Sequence, residues 1–498
     1  MSPTAPPDEQ PDGRLFCNGI NGATGQFLTP PVSIDDVAAL VRAEPQPDPD
    51  LTGSRRKGPD KIAALPFNID PLDMSRSGWA LVFPEGTASA VRDALVPLLK
   101  HRQGQIPADR CKELEYKPGD NLRTWLLRHG VSTGRVAPSK VPYYVLLVGG
   151  PELIPFEFQY LLDVEYAVGR VAFDRPEQYR QYAESVVAYE KTGAVPHGKE
   201  IVYWGTRHAR DFPTQLSADS LITPLYAGVP NDPDEGEPAA ALNGFRSRCL
   251  KGADATKASL AEMLHAPASG QPPAMLFTAS HGLGWPRGDE RQAAAQGALL
   301  CQDWSGFGAV KPAHYLGSGD IADDARVHGL VAFFFACFGA GTPMRNNYLF
   351  GPKQPPLDSP ERLLADRPFV SPLPQRLLSH PQGGALAVIG HVERAWAHSI
   401  QPLDDRNRPL PKVGPLLTMF RNCVGRILGG QPVGHATKDI SEKYATLSAY
   451  LLGLIGPDAS GTSPTDQRLV NAWIERNDAQ NYVVLGDPAV RLRVDLMK

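Results

Sequence analysis

The feature that most constrains this chain is a succession of short, almost uninterrupted apolar runs, several of them followed by a stretch with helical spacing. WALVFP (79–84) precedes TASAVRDALVPLLKHR (87–102), where apolar residues recur every three or four positions. The runs YYVLLVGG (143–150), YAVGRVAF (166–173), KEIVYWG (199–205), AMLFTASHG (274–282), GLVAFFFACFG (329–339) and GALAVIGHV (384–392) continue the series. A strand with one wet face alternates polar and apolar residues. These runs do not, so both faces must be covered. The expected class is α/β, a three-layer sandwich with a mostly parallel sheet. Helices are expected at 176–191, where Pro176 supplies a good first residue, and near 253–265, 414–428 and 439–454. The chain closes on NYVVLGDPAVRLRV.

Segmentation follows from punctuation. The first dozen residues and Glu44 to Asp60 are rich in Pro and charge, too poor in apolar surface to offset the entropy of ordering. Residues 1–64 are therefore read as a mobile N-terminal segment and linker, 65–195 as a first α/β subdomain, and 196–498 as a second that carries the chemistry. Across 498 residues the 47 Gly and 49 Pro indicate many turns without reaching the range of disorder. Lys plus Arg number 50 against 54 Asp plus Glu, a net charge of -4 that gives no general attraction to nucleic acid or acidic membranes. No apolar run is long enough to span a bilayer, and MSPTAPPDEQPDG lacks an export signal, so a cytoplasmic protein is expected. Six scattered cysteines without a CxxC pair suit a reducing compartment. No metal spacing such as HExxH, no phosphate loop, no dinucleotide fingerprint and no serine-hydrolase elbow occurs, so no cofactor or metal is expected.

Two of the apolar runs end in reactive residues. AMLFTAS delivers His281 and Gly282, and VAFFFA delivers Cys337 with Gly339 close behind. Parallel sheets gather ligands and reactive groups at strand ends, so neighbouring strands would bring the two together. A free thiol is mostly protonated at neutral pH and only its thiolate attacks a carbonyl well. An imidazole beside it can take the proton and later give one to a departing amine. Gly282 and Cys337 are the natural backbone N–H donors for the oxyanion, since glycine lets a carbonyl approach the main chain.

His-Gly ending one strand and Phe335-Ala336-Cys337-Phe338-Gly339 ending the next resembles the caspase-like clan of cysteine peptidases. The caspase signature keeps Ala, Cys and Gly here but loses its Gln and the residue after Cys. The gingipain-type branch is more similar: YYVLLVGGPELIPF, LLDVEYAVGRVAF with its following helix ending in Tyr-Glu, and the closing LGDP block match in order over most of residues 70–498. The resemblance implies two caspase-like subdomains, the second catalytic, and a cysteine endopeptidase acting on protein substrates with no cofactor. It also implies an acid at the base of the pocket for the side chain before the cleaved bond. Asp163 is the matching position, with Glu152 and Glu393 as rivals, and an Arg or Lys preference would follow from pairing with that carboxylate.

Segment GHVERAW follows the next strand, so His391 could line the crevice while Glu393 and Trp396 shape the substrate groove. Cys301 reads as packing. The polar loop after His281 holds Arg287 and Arg291, and Arg55 to Lys57 form a basic cluster. Cleavage at either, by an upstream protease or after a partner binds, would switch on a zymogen, in the manner of bacterial relatives in antiviral or cell-death circuits. The alternative is a catalytically idle caspase-like module used for binding.

Overall fold

The apolar runs form ten central strands: β1 (Trp79–Pro84), β2 (Cys111–Tyr116), β3 (Tyr144–Val148), β4 (Ala167–Val171), β5 (Gly198–Gly205), β6 (Arg246–Lys251), β7 (Pro273–Ala279), β8 (Val331–Phe335), β9 (Ala387–His391) and β10 (Tyr482–Gly486). The structure is a computed structural model that describes residues 14–43, 65–233, 236–265, 270–348, 355–356, 359–401, 415–455 and 465–497. Every residue of β1, β3, β4, β7, β8, β9 and β10 is buried, as a sheet covered on both faces requires. The expected α/β class with a mostly parallel sheet is the architecture observed.

The strand order is β2-β1-β3-β4-β10-β9-β8-β7-β5-β6 in one continuous sheet. Strands β2, β1, β3, β4 and β10 are mutually parallel, as are β9, β8, β7, β5 and β6. The two sets run in opposite directions and meet at the antiparallel pair β9/β10, with Ala387 opposite Gly486 and His391 opposite Tyr482. The last strand therefore returns to the first half of the chain. Hydrophobic runs alone carry no strand direction, so this reversal was not legible in them.

The sequence blocks GR, GGPELIP and LGDP have structural work at this junction. The buried Arg170 guanidinium on β4 donates to the Gly149 carbonyl (2.9 Å), the Ile154 carbonyl (2.7 Å) and Oε1 of Gln159 in helix α3 (Phe156–Leu162) (2.8 Å), tying together the loop after β3. Asp487, just past β10 and fully buried, accepts from Trp79 Nε1 (2.9 Å) and from Arg102 (2.7 Å). Arg102 ends helix α2 and also pairs with Glu190 of α4, two helices spanning Ser89–Gln103 and Pro176–Lys191, both contacts at 2.7 Å. Burial works to raise the Glu190 carboxyl, yet Arg102 and the surrounding hydrogen bonds hold it at about 2. We predict that Asp487→Ala costs about 3 kcal/mol, because it strips one partner from a buried guanidinium. A urea midpoint shift worth less than about 1 kcal/mol would refute that role for Asp487.

The N-terminal segment corrects the reading of residues 1–64. Residues 14–43 are folded: Leu15, Cys17 and Ile20 are buried, and helix α1 (Ile34–Ala43) buries Val37, Ala38, Leu40 and Val41. Ile20 packs with Leu283 and Trp285, and the other side chains pack with Trp396 and with Leu469, Val470 and Trp473 of α7 (Asp466–Asn481). The flanking Pro-rich composition hid an amphipathic decapeptide, IDDVAALVRA, with apolar residues at helical spacing. Residues 1–13 and 44–64, which include Arg55 to Lys57, lie outside the described residues. Among the described residues no helix is long and apolar enough to cross a membrane, and no group of three or more His, Cys, Asp or Glu could hold a metal ion.

Candidate active site

Strands β7 and β8 are parallel neighbours, with Phe335 opposite Ala279. His281 and Cys337 each lie two residues beyond that pair, so the register sets them at equal height past the sheet edge. Position 282 must be glycine: a Cβ there would fall 1.8 Å from the Cys337 carbonyl oxygen and 2.8 Å from its nitrogen. The two proposed oxyanion donors, Gly282 and Cys337, are thus packed against one another. Phe338, directly after the thiol, has φ 56°, and Glu393, after β9, has φ 71°. Both sit in the left-handed region that non-glycine residues avoid. They are locked together by a 2.7 Å bond from the Phe338 N–H to the Glu393 carbonyl, and the Ser371 hydroxyl donates to the Phe338 carbonyl. The sharp turn after Cys337 is therefore held from two sides.

The imidazole has a partner on each nitrogen. His281 Nδ1 lies 2.7 Å from the Gly19 nitrogen, a main-chain N–H that can only donate, so Nδ1 is the acceptor. Nε2 then carries the proton and gives it to Asp211 Oδ2 at 2.6 Å. Asp211 follows β5, the strand on the far side of β7, and precedes helix α5 (Phe212–Ser217) at its N-cap position. Burial pushes the Asp211 carboxyl up, and the neighbouring His281 more than reverses this, holding it below the usual carboxylate range. An ionised acid thus fixes the ring with its basic nitrogen facing Cys337's side of the crevice.

The thiol is held in its protonated form. Cys337 is fully buried, and burial pushes it up to about 12, against the opposing 3.2 Å hydrogen bond from the Ala395 N–H to Sγ and the charge of Arg394. Its S–H points at the carbonyl oxygen of Asn18, 2.6 Å away. The Asn18–Gly19 peptide therefore lies between sulfur and imidazole. On one side of it, the Asn18 N–H donates to the Ala395 carbonyl (2.8 Å), Cys17 bridges Trp396 in antiparallel fashion, and the Ala397 N–H donates to the Phe16 carbonyl (3.0 Å). On the other, Ile20–Asn21 runs parallel to Leu283–Gly284.

The predicted pocket residues separate. Trp396 and Glu393 belong to the segment after β9, whose residues 395–397 pair with residues 16–18. Trp396 is fully buried, its ring stacked on Tyr348 and its N–H bonded to Asp478. Asp163 corrects the expectation of a pocket acid. Its carboxylate accepts from the Val168 N–H (3.0 Å) and the Ser441 hydroxyl (2.8 Å), and Lys438 bonds to its carbonyl. Those partners come from β4 and from helix α6 (Lys438–Ile455), so the acid staples the core instead of facing a substrate. Glu152 is exposed. His391 is buried against Tyr482, 3.5 Å from Asp478. Cys301 is a buried thiol that donates to the Leu299 carbonyl. All six cysteines are free.

Asp211 and the Asn18–Gly19 peptide were missed by sequence reasoning. The only signal for Asp211 was an Asp directly before Phe-Pro, a helix-start pattern soon after a strand.

Glu393 makes a pH prediction. Burial raises its carboxyl from 4.5 to about 7, against the pull of Arg394, whose NH1 lies 2.8 Å from Oε1. The folded chain thus holds a proton that the unfolded chain has already lost between those values. Its contribution to stability must fall as pH rises from about 4.5 to about 7, then level off. The urea midpoint of wild type should therefore fall relative to that of Glu393→Gln, which has no proton to lose, as pH rises across that window. A constant difference would contradict the assignment.

Fold and site together define an α/β protein in which a cysteine, a histidine and an aspartate converge at one edge of a mostly parallel sheet. No protein-family model and no curated protein sequence matches the chain. Among solved structures it is similar to the Arg-specific cysteine proteinase gingipain R, at 12% identity over 86% of this chain and 81% of that one, with a TM-score of 0.46. A complex of Porphyromonas gingivalis RgpB pro- and mature domains is similar at 11% identity, covering 84% and 80%, TM-score 0.44. The Saccharomyces cerevisiae separase–securin complex is similar at 11% identity over 69% of this chain and 15% of that one, TM-score 0.31.

Proposed function

We propose that this chain is a cysteine endopeptidase of the caspase-like kind, with Cys337 as nucleophile, His281 as general base and acid, and Asp211 positioning the ring. The observation that carries this reading is a stretch of main chain lying across thiol and imidazole, hydrogen-bonded on both sides to the segments after β7 and β9. A groove that binds main chain in this way is what hydrolysis of a protein substrate needs, since positioning the carbonyl over the sulfur supplies much of the rate. The thiol proton would pass to Nδ1 and then to the departing amine, while the Gly282 and Cys337 N–H groups receive the oxyanion.

The preference for Arg or Lys loses its support through Asp163, whose carboxylate is occupied by Val168 and Ser441. Activation by cleavage in the loop after His281 keeps a physical basis: Arg287 and Arg291 are exposed, paired with Asp366 and Asp289. The test is a panel of fluorogenic peptides with Asn, Arg, Lys, Asp or Leu before the scissile bond, given to the purified chain before and after limited trypsin treatment. Hydrolysis of at least one class is expected. Silence toward all of them in both forms would favour the idle binding module.

A further inference from the structure

The chain threads its own backbone through the proposed groove, and the fit is more specific than a covering loop needs. Gly19 has φ +113°, and a Cβ there would fall 3.0 Å from Cys337 Sγ and 2.9 Å from Leu28 Cδ1. Only glycine lets this peptide lie against the sulfur. The carbonyl of Asn18 faces the thiol and the nitrogen of the same peptide bond faces His281 Nδ1, so the electrophile and the leaving group each meet the residue that would act on it. Residues before the bond pair antiparallel with 395–397, and residues after it pair with 282–284.

From this juxtaposition we infer that Asn18–Gly19 is a bond the chain cleaves in itself, and that the site accepts an asparagine before the scissile bond. The inference rests on the peptidase reading above. In the step, Sγ adds to the Asn18 carbonyl carbon as the thiol proton moves to Nδ1. That proton then passes to the Gly19 nitrogen as the C–N bond breaks, leaving Asn18 as a thioester and Gly19 as a free amine. Water hydrolyses the thioester, giving a carboxylate at Asn18 and restoring the thiol.

The side chain before the bond is uncharged and buried. Asn18 is 1% exposed, and neither carboxamide atom has a hydrogen-bond partner among the described residues. The acids around the thiol are engaged elsewhere, Glu393 with Arg394 and Asp478 with the Trp396 N–H. A guanidinium in this subsite would find no free carboxylate in either of them.

The experiment follows the N-terminus of the full-length purified chain by denaturing mass spectrometry and terminal sequencing over hours. Wild type, Cys337→Ala and Gly19→Ala are compared, with circular dichroism to check folding and a Phe-Ser-Asn coumarin peptide as an outside substrate. Wild type should acquire a terminus at Gly19. The break should be at least about 100-fold slower in Cys337→Ala and about tenfold slower in Gly19→Ala, whose methyl pushes the peptide off the sulfur. Equal breakage in wild type and Cys337→Ala would mean that the Asn-Gly bond fails without the thiol, which overturns the inference. An intact terminus in a chain that hydrolyses added peptides overturns the inference and leaves the peptidase standing. An intact terminus with no hydrolysis of any peptide removes both.

Discussion

Cys337→Ala is expected to lower kcat for peptide hydrolysis by at least about 10⁴-fold, because the proposed acyl intermediate forms on this sulfur. Two other buried thiols are excluded by their surroundings. Cys301 is buried with its S–H on the Leu299 carbonyl, and burial pushes Cys17, a residue of the threaded segment itself, well above the ordinary thiol range. The stability cost should be small by comparison, about 1–2 kcal/mol, since one sulfur is lost from a packed site and the Ala395 N–H loses its acceptor. Steady-state kinetics and urea denaturation on the same preparations separate the two effects. Cys301→Ala should keep kcat within about twofold, as its sulfur packs in the core under the sheet. Residual activity above a tenth of wild type in Cys337→Ala would show that the nucleophile lies elsewhere.

What the sequence disclosed and what it hid divide along one physical line. Strand positions were legible because a strand buried on both faces must be apolar throughout, and AMLFTA, VAFFF and ALAVIGH satisfy that locally. His281 and Cys337 stood out because each follows such a run by two residues and has a glycine close behind, Gly282 and Gly339. Asp211 was not, because it lies six residues past β5 in a polar stretch whose path is set by packing. The fate of Asp163 was hidden for the same reason: Ser441 and Lys438, which claim its side chain and carbonyl, are more than 270 residues away. Residues 14–43 were misjudged because local composition reports the entropy of ordering but not the surface available to repay it. Leu15, Cys17 and the apolar stripe of α1 find that surface on Trp396 and Trp473. A Pro-rich flank on each side made a packed segment look like tail.

The motif blocks teach a related point. Gly-Arg on β4 and Gly-Asp-Pro after β10 suggested a catalytic family by their order, yet each is occupied with holding the antiparallel seam and the loop after β3. Such blocks identify an architecture. The chemistry has to be argued from Cys337, His281 and Asp211.

Asp211→Asn should lower kcat by about 10³–10⁴-fold while changing KM little, although it alters one atom of a side chain that touches no substrate. The carboxylate accepts the Nε2 proton of His281 at 2.6 Å, which forces the free lone pair onto Nδ1, the nitrogen that meets the scissile bond. A carboxamide can turn its NH₂ toward Nε2, and the ring then carries its proton on Nδ1, where it can neither take the thiol proton nor accept from the peptide N–H. The charge that stabilises the imidazolium formed during attack disappears as well. The comparison with Asp211→Ala is decisive, because alanine enforces no tautomer and leaves room for water. A purely structural role predicts that the near-isosteric Asn is the milder change; the positioning role predicts that Asn is at least as damaging as Ala in kcat. If Asn retains more than a tenth of wild-type kcat while Ala does not, Asp211 merely fills space, and the tautomer of His281 must be set by the peptide that lies against Nδ1.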